Sequence, residues 1–346
     1  MSQKEEKMGK NSNASAGNYE LERALDGLAM GVNGVPVTTG NIYYVIPAAD
    51  PTYHQFYAEN FKQYEDGTVN IYNTISAAVS AATSNRHDVI MISANAAHAQ
   101  TSMLSITKNR LHFVGMGLRA GAMGLGARAR ITMGVTTAAT DIAVMQNTGV
   151  GNTFRNLKFD SANTKDESLY AVAEGGEYSI YENCEFYKST DLDETGAAEV
   201  LNNGDSAQWI RCVFGSLVNI IADDKIRPNM LLTRETITGK VCRDNIIDDC
   251  LFLVKSAGVE AVRIYGANAN DVERMLLIKN SVFLSNILGA ATPAHAIGFG
   301  AAQTQGTVLL KNCTSVDHTV MKQASVSIYV DGAVPTQNTS GVAVTG

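Results

Sequence analysis

Charged residues are scarce in this sequence of 346 residues, and long apolar runs are missing. Only 18% of the residues are charged whereas 45% are hydrophobic, which excludes a chain kept disordered by its own charge. The net charge of −7 argues against a basic surface for nucleic acid or an anionic membrane. Without a run of about 18 apolar residues, a membrane-spanning helix is not predicted. We therefore expect a folded protein with neither nucleic acid nor membrane as a partner.

Several motifs of metal and nucleophile chemistry are also missing. The five cysteines are an odd number and form no CxxC pair, so neither a zinc knuckle nor a complete disulfide framework is indicated. The six histidines form no HExxH motif, and no GxSxG elbow is present. The glycines at 115, 117 and 121 miss the GxGxxG spacing by one position and predict a loop between strands. We predict no cofactor and no metal.

Composition divides the chain into four parts. Residues 1–35 begin with a polar stretch and contain one short apolar helical stripe, which predicts an arm that docks on a partner. Residues 36–69 are interpreted as a connecting segment, 70–335 as the body and 336–346 as a tail. The polar start, unlike an apolar signal region, predicts synthesis in a cytosol.

The body opens with one amphipathic helix followed by short strands. Apolar residues from Ile71 to Ala82 recur at helical spacing, and Asn70 is the expected N-cap. Strands are then predicted at 88–92, 104–106 and 111–115. Because no second long helix follows to provide βαβ crossovers, a doubly wound sheet is disfavoured.

One short pattern recurs through the C-terminal two-thirds of the chain. It consists of an aliphatic or aromatic residue, one or two polar residues, a small residue, any residue, and usually Phe. A marker residue in this pattern falls at Leu157, Cys184, Cys212, Cys250, Ser281 and Cys313, in steps of 27, 28, 38, 31 and 32 residues. A drifting period is typical of a coiled solenoid that keeps its strands and varies its loops.

This repeat predicts a stacked interior. Since strand residues alternate between two faces, the markers and the Phe residues two positions later should point inward and stack roughly 4.8 Å apart. Four of the five cysteines would then be buried as small apolar side chains and would not be reactive. Asparagine precedes the marker at 156, 183, 280 and 312, where a left-handed corner and an Asn ladder are expected. The predicted fold is all-β, a right-handed parallel β-helix solenoid with an N-terminal capping α-helix and an extended N-terminal arm.

With its helix at 71–82, its strand at 88–92 and its coil at 106–117, the chain resembles the pectate-lyase-like β-helix superfamily, particularly bacteriophage virion proteins built on that fold. The resemblance covers about residues 70–335. It implies a homotrimer, since trimers are frequent among phage β-helices. The same scaffold supports lyases, hydrolases, adhesins and structural parts, so the resemblance specifies the fold more than the activity.

Paired carboxylates are the first requirement for cleaving glycans. Two loop clusters supply the candidate catalytic residues if the protein is an enzyme, namely Asp191, Asp193 and Glu194 in one and Asp223 and Asp224 in the other. Asp248 and Asp249 are adjacent on a strand and should face opposite sides. No acidic ladder flanked by a repeated Arg is present, which argues against the lyases of the superfamily.

These observations favour a non-enzymatic structural protein of a tailed phage, such as a capsid decoration or surface fibre protein. It would be made in the host cytoplasm and carried on the virion, with the N-terminal arm binding capsid or tail proteins. The alternatives are a tailspike-like polysaccharide depolymerase and a glycan-binding adhesin, either of which would engage a host surface glycan.

Overall fold

The computed structural model describes residues 40–50, 69–117, 128–134, 140–162, 169–188, 197–221, 228–233, 241–256, 264–266, 270–285, 294–299, 306–323 and 328–330. These residues form three parallel sheets and one short helix. The predicted arm at 1–35 and the tail at 336–346 lie outside the described residues.

Each sheet stacks strands from successive passes of the chain. Sheet 1 contains β2 (Ile71–Tyr72), β1 (Ile42–Val45), β3 (Val89–Ile92), β6 (His112–Gly115), β9 (Thr153–Arg155), β12 (Ile180–Glu182), β15 (Gln208–Ile210), β18 (Cys242–Asp248), β21 (Val272–Lys279), β24 (Gly306–Lys311) and β27 (Ile328–Val330). Sheet 2 contains β4 (His98–Gln100), β7 (Ala129–Met133), β10 (Leu157–Ser161), β13 (Glu185–Lys188), β16 (Val213–Ile221), β19 (Leu251–Ser256), β22 (Val282–Ser285) and β25 (Thr314–Val316). Sheet 3 contains β5 (Leu104–Ile106), β8 (Ala143–Asn147), β11 (Tyr170–Glu174), β14 (Val200–Asn202), β17 (Met230–Leu232), β20 (Ile264–Gly266), β23 (His295–Phe299) and β26 (Val320–Lys322).

From β3 onward the chain visits sheets 1, 2 and 3 in strict rotation. We number each set of three strands as one coil, so coil 1 is β3–β5 and coil 8 is β24–β26. Every strand pairs in parallel with the equivalent strand of the next coil. This is the right-handed parallel β-helix predicted from the repeat, and its handedness is that of parallel crossovers in general.

The helix closes the N-terminal end of the core but is shorter than predicted. It is α1 (Ile75–Ala81), and its N-cap is Thr74, whose Oγ1 accepts the Ala77 N–H at 3.2 Å. The prediction of a helix from Ile71 capped by Asn70 is wrong, because Asn70 accepts the Tyr44 N–H and leads into β2. The helical spacing of the apolar residues is overridden there by sheet pairing. Because β1 pairs with β3, sheet 1 also extends into the segment interpreted as a connection.

Aromatic side chains form two stacks inside the coils. Under sheet 1, Tyr181 lies between Phe154 and Trp209, with ring centroids 4.7 and 4.2 Å apart. Under sheet 2, Phe residues stack one per coil with centroids 4.6 to 5.7 Å apart, at positions 159, 186, 214, 252 and 283. The predicted Phe positions therefore point inward as expected.

The marker column is confirmed at the turn between sheets 1 and 2. Cys184, Cys212, Cys250 and Cys313 are all buried, and the Cys212 N–H lies 3.4 Å from the Sγ of Cys250. The preceding residues adopt the left-handed conformation in each coil from 3 to 8, with φ between 50° and 55°, at positions 156, 183, 211, 249, 280 and 312. The expected Asn ladder forms two rungs, Asn183 to Asn156 and Asn312 to Asn280, and is interrupted where the corner residue is Arg211 or Asp249.

Candidate functional site

The five candidate catalytic acids lie outside the described residues, since 189–196 and 222–227 are not described. Asp248, by contrast, forms an ion pair with Lys279 at 3.0 Å and accepts a hydrogen bond from Asn280. Asp249 is exposed at the left-handed corner that follows. These two acids therefore do not form a catalytic pair.

Two simple classes of site find no support in the described part of the chain. It contains no group of three or more His, Cys, Asp or Glu side chains placed to hold a metal ion. In the same residues, no helix has the length and apolarity that crossing a membrane requires.

A charged surface covers the outer faces of sheets 1 and 2 in coils 2 to 5. We call it the cationic patch; its five cations are Arg128, Arg130, Arg155, Lys158 and Arg211, and its three acids are Asp160, Glu182 and Glu185. Each acid is bonded to at least one of the cations, at distances such as 2.6 Å from Arg130 Nη2 to Asp160 Oδ2. Arg128 and Arg155 are buried, whereas Arg130, Lys158 and Arg211 are each more exposed than the acid they pair with. The solvent side of the cluster is therefore locally positive on a chain that is negative overall.

The same outer faces become apolar further along the solenoid. In coils 6 to 8 the outward positions of sheet 2 include Thr314 and five apolar residues, which we call the sheet 2 apolar patch: Leu251, Leu253, Val282, Leu284 and Val316. On sheet 1 the sheet 1 apolar row is Ile246, Leu277 and Leu309 in coils 6 to 8, continued by Tyr329 on β27. Val282 is 37% exposed and Tyr329 is 41% exposed, although both are large apolar side chains. Val282 lies beside the partly exposed Leu251, and Tyr329 beside the partly exposed Leu309. Contiguous apolar surface of this kind marks a face that another molecule covers.

A second polar cluster is enclosed in the solenoid and serves packing. Glu174 is fully buried and accepts hydrogen bonds from Asn147, Ser179, Tyr181 and the Gly176 N–H. Burial raises the pKa of Glu174, and the four donors oppose that rise. Because no solvent reaches it, this carboxyl group is not placed to act on an external substrate.

Neither outer surface was identified from the sequence. The charged positions are visible at 128–130, 155–160 and 182–187, but only the register of three coils places them together. The signal that could have found the apolar patch is in the repeat itself: the residue between the marker and Phe changes from Lys158 and Glu185 to Leu251 and Val282.

The structure resembles solved pectin-active enzymes. It matches the deglycosylated pectin methylesterase from Aspergillus niger with a TM-score of 0.51 at 12% identity, covering 90% of this chain and 92% of that chain. The penultimately deglycosylated form of that enzyme gives a TM-score of 0.50 at 12% identity with the same coverage. Pectate lyase Pel9A gives 0.51 at 13% identity, covering 85% of this chain and 68% of that chain. At these identities the likeness shows the fold alone.

Comparison of the sequence itself gives no relative. Neither the protein-family models nor the curated protein sequences contain a match to this chain.

Proposed function

We propose that this chain is a non-enzymatic structural β-helix of a phage particle, which assembles with copies of itself into a homotrimer. The observation that carries the proposal is the change on the outer face of sheet 2, from Arg130, Lys158 and Glu185 in coils 2 to 4 to Leu251, Val282 and Leu284 in coils 6 and 7. On sheet 1 the apolar row runs beside the ion pairs of coils 6 and 7. Exposed Val282 with the partly exposed Leu251 and Leu284 beside it is an aggregation hazard for a solenoid that acts alone.

The position of the two apolar surfaces favours a closed ring of parallel copies. A cyclic assembly other than a dimer needs two different patches on each chain, one meeting the other across every interface. The sheet 2 apolar patch and the sheet 1 apolar row lie on neighbouring sheets of coils 6 to 8, and so at nearly the same height along the solenoid axis. Copies with parallel axes can therefore bring one surface against the other without a shift.

The virion assignment rests on the sequence resemblance to phage β-helix proteins. Antibodies raised against the purified chain test it on assembled phage particles. Regular labelling of heads or tails supports the proposal. Particles that carry no label, from a host expressing the protein, contradict it.

Assembly is tested by the solution mass of the purified chain and one double variant. We expect sedimentation equilibrium to give three times the 36.9 kDa mass of one chain. In Val282→Glu/Leu284→Glu two carboxylates enter the apolar interface, which should raise the dissociation constant at least about 100-fold. Ala99→Glu is the control, because it places a carboxylate at an exposed position of sheet 2 in coil 1, outside the apolar patch and away from Asp160. A monomeric wild-type chain, or a double variant that remains trimeric, contradicts the proposed interface.

Depolymerase activity is the alternative function, and the likeness to pectin-active folds is the finding in its favour. Its test is the release of reducing ends from bacterial surface polysaccharides by the purified chain. Activity that is lost in Asp191→Asn or Asp223→Asn would replace the non-enzymatic proposal with the enzymatic one.

A further inference from the structure

We infer from the two assembly surfaces that the corner between sheets 1 and 2 lies on the threefold axis of the trimer, where Arg211 of one copy pairs with Asp249 of the next. This inference rests on the proposed trimer and adds to it a site that one copy cannot complete. The corner joins the two surfaces directly, since Asp249 and Cys250 alone connect β18 of the sheet 1 apolar row to β19 of the sheet 2 apolar patch. When the patch of each copy covers the row of the next, the corner between them becomes the innermost part of a closed ring.

This corner is narrow enough to approach an axis. In coils 6 to 8 it consists of two residues in each coil, at 249–250, 280–281 and 312–313. The other connections of coils 6 and 7 are longer, for example 257–263 between sheets 2 and 3 and 300–305 between sheets 3 and 1. Three copies can therefore approach one another most closely at the corner between sheets 1 and 2.

The axis stacks two rings of opposite charge. Rotation about a cyclic axis involves no shift along it, so each residue of the corner meets its own copies at one height. Three Asp249 side chains meet in coil 6 and three Arg211 side chains one coil earlier, roughly 4.8 Å away along the axis. Like charges repel within each ring, but an Arg ring beside an Asp ring is neutral as a whole. The charges therefore favour assembly only when both residues are present.

Both side chains are available for such a contact. Asp249 is exposed, and its carboxylate has no hydrogen bond or ion pair with any residue that the structure describes. Arg211 is 39% exposed and donates to Glu182, an acid that also pairs with Arg155 at 3.0 Å. Because Glu182 is shared and a guanidinium has several N–H donors, Arg211 can bind a second carboxylate without giving up the first.

The opposite corner shows that an Arg and an Asp on successive coils can pair within one chain. Between sheets 3 and 1, Asp244 and Arg274 have φ values of 51° and 64° and form an ion pair. Arg211 and Asp249 have similar φ values of 51° and 54°, yet the described residues include no ion pair between these two. Arg211 instead turns away from coil 6 to Glu182 in coil 4. The Asp249 charge is therefore left for a neighbouring copy.

Covalent trapping tests the position of the axis. Asp249→Cys places a thiol on the corner, against a background of five native cysteines that are all buried, and Asn280→Cys covers the case in which that variant fails to fold. Tyr178→Cys is the matched control, because Tyr178 is 61% exposed and has a φ of 56° at the corner between sheets 3 and 1. Each full-length variant is treated with a three-armed maleimide and run on a denaturing gel. We expect covalent trimers at the sheet 1 and 2 corner and unlinked chains from Tyr178→Cys. No covalent trimer from either corner variant, or as many from Tyr178→Cys, overturns the inference.

Charge pairing is tested by sedimentation equilibrium of three variants. Arg211→Gln leaves the Asp249 ring uncompensated and should raise the dissociation constant of the trimer about 10-fold. Arg211→Gln/Asp249→Asn removes both rings and should return that constant to within about threefold of wild type. Arg110→Gln, at an exposed left-handed position of coil 2, should change it less than about twofold. Absence of rescue by the second substitution, or an equal loss in Arg110→Gln, overturns the pairing.

The same measurements separate this inference from the proposed function. A wild-type chain that sediments as a trimer, with no covalent trimer formed at the corner, retains the proposed assembly and overturns this position of its axis. A monomeric wild-type chain overturns both.

Discussion

The Nδ1 atom of His87 lies 3.1 Å from the Nε2 atom of His112, and the two ring planes are within 14° of each other. The ring centroids are 5.4 Å apart, which is the nitrogen separation plus one ring radius at each end. The two nitrogens therefore point straight at each other within hydrogen-bond distance. The other ring nitrogen of His112, Nδ1, lies 2.9 Å from Thr153 Oγ1. These contacts link coils 1, 2 and 3 on the outer face of sheet 1.

This arrangement predicts a loss of stability in acid. Burial, with contributions from His87 and Arg155 and opposed by Asp88, lowers the pKa of His112 from 6.5 to about 4. A base whose pKa falls on folding favours the folded state fully above about 6.5, and this contribution disappears as the pH falls to about 4. It is on the order of 2–3 kcal/mol. We expect denaturant titrations from pH 7 to pH 4 to show a smaller loss in His112→Gln than in wild type; equal losses would contradict this role of His112.

Trp209 should tolerate one substitution and not another. It is fully buried against Tyr181 and Phe214, yet its Nε1–H finds no acceptor in the described residues. Trp209→Ala removes the whole side chain and should cost about 3–5 kcal/mol of unfolding free energy. Trp209→Phe keeps the stack and removes the unsatisfied donor, so we expect a cost below about 1.5 kcal/mol. Similar losses for the two variants would show that the indole N–H has a partner.

Two substitutions at Asn183 distinguish the cost of backbone strain from the cost of lost side-chain hydrogen bonds. Its φ is 54°, and its side chain bonds Asn156 and Arg128. Asn183→Ala and Asn183→Gly both lose those bonds, but only glycine accepts positive φ without strain. The alanine variant should therefore be the less stable by up to about 1 kcal/mol in urea titrations. An alanine variant at least as stable as the glycine variant would argue against a strained corner.

The five cysteines should be inert in the folded protein. All are buried, and burial raises the thiol pKa of Cys184, Cys212, Cys242 and Cys313, with a value of about 12 for Cys242. Thiolate is the reactive form, so a disulfide reagent at pH 8 should modify no thiol before unfolding and five after it. Rapid modification of any thiol under native conditions would contradict the buried column.

The inward-facing residues of the solenoid could be predicted because the sequence repeat specifies them. Most coils repeat a small residue at the turn and a Phe two positions later. Because side chains on a strand alternate between its two faces, this spacing alone places Cys184 and Phe186 in the interior. The helix start could not be predicted in the same way. Ile71 fits both the helical spacing and a strand, and only pairing with Tyr44, 27 residues earlier, decides between them.

The outer surfaces depend on contacts that no local pattern contains. Arg130 and Asp160 are 30 residues apart and meet only because coils 2 and 3 stack in one register. The coil length varies, so that register is known only after the strands are paired. Candidate sites chosen from the sequence were instead loop acids close together along the chain, and these lie outside the described residues.

A cryo-EM map of the purified assembly tests the central claim most directly. It should show three parallel solenoids in contact through Val282, Leu284, Leu277 and Leu309, with Arg130 and Lys158 facing solvent. A map in which coils 6 to 8 face solvent, or in which the charged coils form the contact, would contradict the account.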